Sequence, residues 1–220
     1  MSGLLPGFAA VERLALPDAE LTWWPAWLAA DAARELFAAL QRETPWEQSE
    51  IRIAGRRLRI PRLNAWYGDP GAGYGYSGAR LVRHAWTQKL AAVRAAVERA
   101  TGHAFNSALL NLYRSGADSV DWHSDDEAEL GPAPVIAALS LGATRRFELR
   151  HRFDAALHHR LDLGDGALLL MAGDMQRQWR HRIPKEPGVA APRISITFRR
   201  ARPVRQWRAD ARVAEPTPGC

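Results

Sequence analysis

The stretch RISITFRR, residues 193–200, decides how the rest of the chain is read. Its side chains alternate, with Arg193, Ser195, Thr197 and Arg199 on one side of an extended strand and Ile194, Ile196 and Phe198 on the other. The second side is apolar enough to be core. The first carries two guanidinium groups and two hydroxyls, which are costly to bury unless an anion pairs with them. Two arrangements stay open on the pattern alone: an outward arginine face over an apolar core, or an inward polar face lining a cavity.

Upstream lie further short runs rich in apolar and β-branched residues: ALLNLYR (108–114), VIAALSLG (135–142), RRFELRHR (145–152), RLDLG (160–164) and ALLLMAG (167–173). Turn residues punctuate nearly every gap, which predicts a sandwich or barrel rather than βαβ units. The expected fold is α+β and mainly β, built on a double-stranded β-helix (jelly roll) of about eight strands. Two helices are expected to support it. One covers about 31–43, with Leu36, Phe37 and Leu40 on one face. The other covers about 85–100, with Trp86, Leu90, Val93 and Val97 as its stripe and Gly102 as its stop. In IRIAGRRLRIP (51–61) two short strands around an Ala54-Gly55-Arg56 turn would leave an arginine-rich outer face that includes Arg57. YGDPGAGYGYSG (67–78) reads as a glycine-rich loop that either connects elements or holds tyrosines toward a ligand. Residues 1–30 read as an irregular packed extension.

The 220 residues carry a formal charge of +6, and every basic residue except Lys89 and Lys185 is arginine. Arginine's planar fork suits phosphates and stacks on bases, so nucleic acid is a compatible partner; a solvated arginine-rich surface fits equally well. The single cysteine, Cys220, excludes a disulfide within the chain and a cysteine-based zinc site. No run reaches the eighteen or so apolar residues of a membrane span, and the first residues lack the basic and apolar blocks of a signal peptide. A monomeric, intracellular (cytoplasmic) protein with no membrane partner is expected.

Chemistry concentrates in DWHSDDEAEL (121–130). In an extended segment His123 and Asp125 face the same side and reach a common point. A useful metal site needs a third ligand, from His84, His103, His151, His158, His159 or His181. His181, in QWRHRIPK (178–185), follows the strand-like ALLLMAGD and precedes RISITFRR. It either meets His123 and Asp125 inside a barrel mouth or is a half-buried strand histidine bonded to a backbone carbonyl. Two histidines and a carboxylate on one face of a metal are the arrangement of non-haem Fe(II) oxygenases. Inward arginines would then suit a dicarboxylate, with Asn111 and Tyr113 of NLYR adding polar contacts from a shared face.

Taken in order, N-x-Y, H-x-D-D-E, H and R-x-S-x-T-x-R resemble the AlkB family of Fe(II)/2-oxoglutarate-dependent dioxygenases, most densely from Pro61 to Arg200. PRLNAWYGDPGAGYGYSG also resembles the corresponding loop of the branch that repairs duplex DNA. The resemblance implies an oxidative demethylase of 1-methyladenine and 3-methylcytosine type lesions, releasing formaldehyde, succinate and CO2. Fe(II) would sit on His123, Asp125 and His181, with O2 and 2-oxoglutarate as co-substrates. Asn111, Tyr113, Arg193, Ser195, Thr197 and Arg199 would bind 2-oxoglutarate. Tyr74, Tyr76, Ser77, Asp126 and Glu127 would face the base, and Ala54, Gly55, Arg56 and Arg57 would form the wedge or backbone contact. Alkylated DNA, single- or double-stranded, is the implied partner; RNA, or a non-catalytic nucleic-acid-binding jelly roll, are the alternatives. The implied organisation is one domain over 1–220. About 1–105 would be extension, helices and nucleotide-recognition lid, about 106–202 the jelly-roll core, and 203–220 a tail.

Two positions depart from the family pattern. Ser195 stands where Asn is usual. Ala54 stands where duplex-repair relatives carry a bulky apolar wedge, and its methyl cannot supply ring stacking worth about 1–3 kcal/mol.

Overall fold

Alternation of apolar and polar residues, with a turn residue every eight to twelve positions, leaves the chain few options other than packed antiparallel strands. The computed structural model describes residues 10–53, 56–72, 75–76 and 79–202. Within them the strands are β1 (Glu12–Leu16), β2 (Ala19–Trp24), β3 (Glu50–Ile53), β4 (Arg56–Arg59), β5 (Leu63–Gly68), β6 (Gly75–Tyr76), β7 (Ala79–Arg80) and β8 (Arg83–His84). They continue as β9 (Ser107–Tyr113), β10 (Val120–His123), β11 (Ile136–Gly142), β12 (Arg145–His151), β13 (His158–Leu163), β14 (Leu168–Ala172), β15 (Trp179–Ile183) and β16 (Arg193–Arg199). The helices are α1 (Ala30–Glu43), α2 (Gln88–Thr101) and the single turn α3 (Met175–Gln178).

The larger sheet runs β1-β2-β14-β11-β16-β9-β5-β8 and the smaller β10-β15-β12-β13. From β9 onward the chain crosses between the sheets so that four strands of each form an eight-stranded jelly roll, as expected. The β3–β4 hairpin is also present, with Arg52 opposite Arg57.

The larger sheet is buried on both faces. On its outer side Leu110, Leu112, Leu139, Ile194, Ile196 and Phe198 join Leu36, Leu40, Leu90, Val93 and Val97 of the two long helices in one apolar cluster. On its inner side Ile136, Leu169 and Met171 meet Phe147, Leu149, Leu161, Trp179 and Ile183 of the smaller sheet. Each fully buried Leu, Ile or Phe contributes about 1.5–3 kcal/mol relative to exposure, so this double packing holds β16 rigidly in the middle of the molecule. Thr87 caps α2, its Oγ1 accepting from Leu90 N–H at 3.2 Å, and Gly102 ends the helix at φ 74°.

Three readings of the sequence need correction. Residues 10–30, the described part of the extension, are not irregular: β1 and β2 form a hairpin, with Asp18 at φ 54° in its turn, and β2 pairs with β14. Leu21 of β2 reaches the inner core, which is why the hairpin joins the sheet. Trp86 precedes the cap of α2 rather than lying on its stripe. Its Nε1 donates to Asp69 Oδ1 at 2.7 Å while its ring stacks on Phe198. Tyr67 belongs to β5 and is buried in the outer core instead of decorating a loop.

Candidate active site

The strand register assembles the site. Across β9 and β16, Tyr113 pairs with Arg193 and Asn111 with Ser195, while Arg199 sits opposite Ser107. Across the smaller sheet His123 pairs directly with His181. The two groups face each other through the barrel, so one cavity is lined by Asn111, Tyr113, His123, Asp125, His181, Arg193, Ser195, Thr197 and Arg199. The polar side of RISITFRR therefore faces inward while the apolar side is core; of the two arrangements left open above, the outward arginine face is ruled out.

His123, Asp125 and His181 each offer a ligand atom, all within 4.8 Å of one another, and among the described residues they form the one such cluster. The imidazoles lie 4.3 Å apart between centroids. His123 Nδ1 stands 2.7 Å from the Asp121 carbonyl oxygen, which can only accept. The proton is thus on Nδ1, and Nε2 keeps its lone pair for a metal. Burial pushes both imidazoles down, that of His181 to about 3 with help from neighbouring His123, so both are neutral donors at ordinary pH. His181 Nδ1 is buried without a hydrogen-bond partner, and Phe147 stacks on its ring. Burial alone would raise the Asp125 carboxyl, but the Arg199 guanidinium at 2.6 Å and the two imidazoles bring it down to about 2. A buried carboxylate beside two neutral, lone-pair-bearing imidazoles fits a divalent cation.

Sequence periodicity gave the wrong reason for part of this. Asp125 lies beyond the end of β10, in the turn before the short 3-10 helix Ala128–Leu130. It converges on His123 because that turn is tied down, not because of strand alternation. Asp125 N–H donates to Gln176 Oε1 of α3 at 2.9 Å, and Ser124 Oγ donates to the Trp179 carbonyl at 2.7 Å.

At the other end of the cavity Arg193 is 2% exposed. Its Nε donates to Ser140 Oγ at 2.8 Å, its Nη1 has no hydrogen-bond partner, and burial pulls it down to about 10. Tyr113 lies beside the guanidinium groups of both Arg193 and Arg145, 5.3 and 5.6 Å from its ring. Arg145 differs in being fully engaged, by Glu186 and the carbonyls of Ser115, Asp118 and Pro184. A buried cation with a donor pointing at nothing is an anion site waiting for its ligand.

Several contributors carried no signal in the sequence. Arg62, buried, lines the cavity and donates from Nε to Asn111 Oδ1 at 3.0 Å. Ser140, Phe147 and Gln176 act through spacing in three dimensions and belong to no short motif. Among the expected base-facing residues, Asp126 is exposed and accepts from Arg152 Nη2 at 2.6 Å, and neither it nor half-buried Glu127 is part of the cavity lining. Arg57 is exposed on β4. Tyr74, Ser77, Ala54 and Gly55, and the side chains of Tyr76 and Arg56, lie outside the described residues.

Residues 20–199 match the model of the 2OG-Fe(II) oxygenase superfamily. The bovine alpha-ketoglutarate-dependent dioxygenase alkB homolog 3 is 40% identical over 81% of this chain, and the mouse DNA oxidative demethylase ALKBH2 is 35% identical over 79% of this chain and 77% of its own length. The chain belongs to the AlkB family of this superfamily. It spans 65% of the length of the bovine alkB homolog 3. Among solved structures OsALKBH1 superposes with a TM-score of 0.60 at 18% identity, over 87% of this chain and all of that one. A Pseudomonas putida prolyl-4-hydroxylase gives 0.55 at 18% identity, over 82% of this chain and 92% of its own. Those two likenesses show the jelly-roll fold. An AlkB-family chain of this superfamily takes Fe(II), 2-oxoglutarate and O2, and the His-Asp-His cluster is the place its donor chemistry suits for the metal.

Proposed function

We propose that this chain is an oxidative demethylase that removes methyl groups from the ring nitrogens of bases in DNA, 1-methyladenine and 3-methylcytosine in particular. The observation that carries the reading is one cavity with a His-Asp-His cluster at one end and the buried Arg193, Nη1 unpartnered, at the other. That combination requires a cation and an anion together, which 2-oxoglutarate and Fe(II) provide.

His123, Asp125 and His181 would hold Fe(II), which when bound couples decarboxylation of 2-oxoglutarate to hydroxylation of the N-methyl group, lost as formaldehyde. The chain's own residues do the positioning. Arg193, with Tyr113 across the strand pair, takes one carboxylate of 2-oxoglutarate, and Ser195, Thr197 and Asn111 add hydrogen bonds along the cavity wall. Arg199 orients Asp125 through its 2.6 Å bond and fixes that carboxylate in the charged form. Phe147, stacked on His181, excludes water from the metal end.

A methylated ring nitrogen in a base pair is out of reach until the nucleotide is turned out of the stack. Tyr74, Tyr76 and Ser77 would receive the base. Ala54 in place of a bulky wedge favours single-stranded over duplex substrate. The enzyme would work as an intracellular, single-domain monomer. The test is a turnover panel: 1-methyladenine and 3-methylcytosine oligonucleotides, DNA and RNA, single- and double-stranded, with formaldehyde as readout. Release from single-stranded DNA that needs Fe(II), 2-oxoglutarate and oxygen is expected. Absence of demethylation across the panel by metal-loaded protein overturns the reading.

A further inference from the structure

The smaller sheet has a second face, turned away from the cavity. Phe147, Leu149, Leu161, Leu163, His181 and Ile183 point inward and are buried, so their strand neighbours Arg146, Glu148 and Arg150, Arg160 and Asp162, and Arg180 and Arg182 point outward. Five arginines share this face with two carboxylates. Glu148 is used by Arg182 at 2.6 Å and Arg146 at 3.6 Å, and Asp162 by Arg160 at 3.0 Å.

Arg150 and Arg180 are left over. They are exposed, they lie directly opposite each other in the β12–β15 register, and neither forms an ion pair among the described residues. Directly opposed like charges destabilise a sheet, so this pairing is a standing cost unless an anion lies across it. One side chain organises the cluster. The indole of Trp122 on β10 has the Arg150 guanidinium 4.2 Å and the Arg182 guanidinium 4.5 Å from its ring, holding both extended. The register also places the cluster. Arg150–Arg180 and Glu148–Arg182 flank the inward pair Leu149–His181, so the arginines sit directly behind one of the metal-cluster histidines.

We propose that the outer face of the smaller sheet, centred on Trp122, Arg150, Arg180 and Arg182, is a docking track for the phosphate backbone of a nucleic-acid strand beyond the nucleotide held in the cavity. The Arg150 and Arg182 guanidinium groups, packed over an indole, are already ordered for phosphate contact, so little of their conformational freedom is lost on binding. The face lacks the row of exposed apolar side chains with which a membrane-surface site enters lipid. It rests on the nucleic-acid reading above but is read out by binding, so the two fail separately.

The test is fluorescence anisotropy with a labelled 30-nucleotide and a labelled 5-nucleotide single strand, across a salt series. The proteins are wild type, the Arg150→Gln/Arg180→Gln pair, and a control pair Arg34→Gln/Arg99→Gln on the helices with the same change in charge. The track predicts that the first pair weakens 30-mer binding at least tenfold at low salt. Two lost phosphate contacts should flatten the log–log salt slope by about 1.4. The control pair and the 5-mer should be nearly unaffected. Equal losses from the two pairs, or 30-mer binding like wild type, overturn the track. Arginine-dependent binding to phosphatidylserine vesicles but not to the 30-mer overturns it in favour of a membrane surface. Loss of 30-mer affinity in a protein that demethylates nothing leaves the track standing and removes the proposed activity instead.

Discussion

The two faces of β16 are both buried and opposite in character. Toward the helices, Ile194, Ile196 and Phe198 are all fully enclosed by other apolar side chains. Toward the barrel, Arg193, Ser195, Thr197 and Arg199 are 2–8% exposed and meet a carboxylate, hydroxyls and space. Burial on the first face stabilises the fold. Burial on the second costs free energy that the protein alone does not recover, and that difference marks where a ligand belongs. Substitutions on the two faces should accordingly separate stability from chemistry.

The largest separation is expected at the metal end. His181→Ala should abolish turnover and metal binding while thermal unfolding of the metal-free protein changes little, since a buried histidine with an unpartnered nitrogen is exchanged for a methyl; Co(II) titration and calorimetry read both. On the helix face the effect should reverse. Ile196→Ala should cost about 2–5 kcal/mol of unfolding free energy in urea, with the 2-oxoglutarate KM of the folded enzyme unchanged. Next comes Arg193→Gln, which loses a charge-assisted bond of about 1.5–3 kcal/mol to the co-substrate. Its KM for 2-oxoglutarate should rise by roughly 10- to 150-fold, and the ligand-free protein should be as stable as wild type or more so. Ser195→Ala should be milder, raising that KM by about 2- to 10-fold for one neutral hydrogen bond.

A pH profile sharpens the comparison with a charge that does stabilise the fold. Burial would raise the Asp118 carboxyl, but the Arg114 side chain and backbone N–H bonded to it hold it below its ordinary value. A carboxylate depressed in the folded state contributes stability above its unfolded pKa, about 3.9, and loses it as pH falls through the lower folded value. Asp118→Asn should therefore be less stable than wild type at neutral pH, with the difference shrinking in acid below about pH 4; urea unfolding at pH 7 and pH 3 measures it.

Much of this was legible in the chain because strand alternation is a strong signal. The jelly roll followed from six short runs, and the polar stripe from the spacing of Arg193 to Arg199, but its inward direction did not. His181 stood out as a candidate partner of His123 because it lay in a strand-like setting between two others, and the order of motifs shared with the AlkB family selected it. What stayed hidden depends on contacts between distant segments. Arg62 reaches Asn111 across 49 positions, and Gln176 fixes the Asp125 backbone across 51. The β1–β2 hairpin was missed because aromatic residues at 23, 24 and 27 blur the alternation, and its place is set by pairing with β14. The outer arginine face was hidden differently. Arg150 and Arg180 are ordinary surface residues until the register sets them side by side.

The central claim is that the polar face of β16 and the His-Asp-His cluster form one chamber for a metal and a dicarboxylate. Anaerobic calorimetry of 2-oxoglutarate binding to Fe(II)-loaded wild type and Arg193→Gln tests it most directly. One equivalent should bind wild type, weakly or not at all without metal, and binding should weaken at least tenfold in Arg193→Gln while Fe(II) is still held. Equal 2-oxoglutarate affinity in the two proteins, or affinity indifferent to the metal, would contradict it.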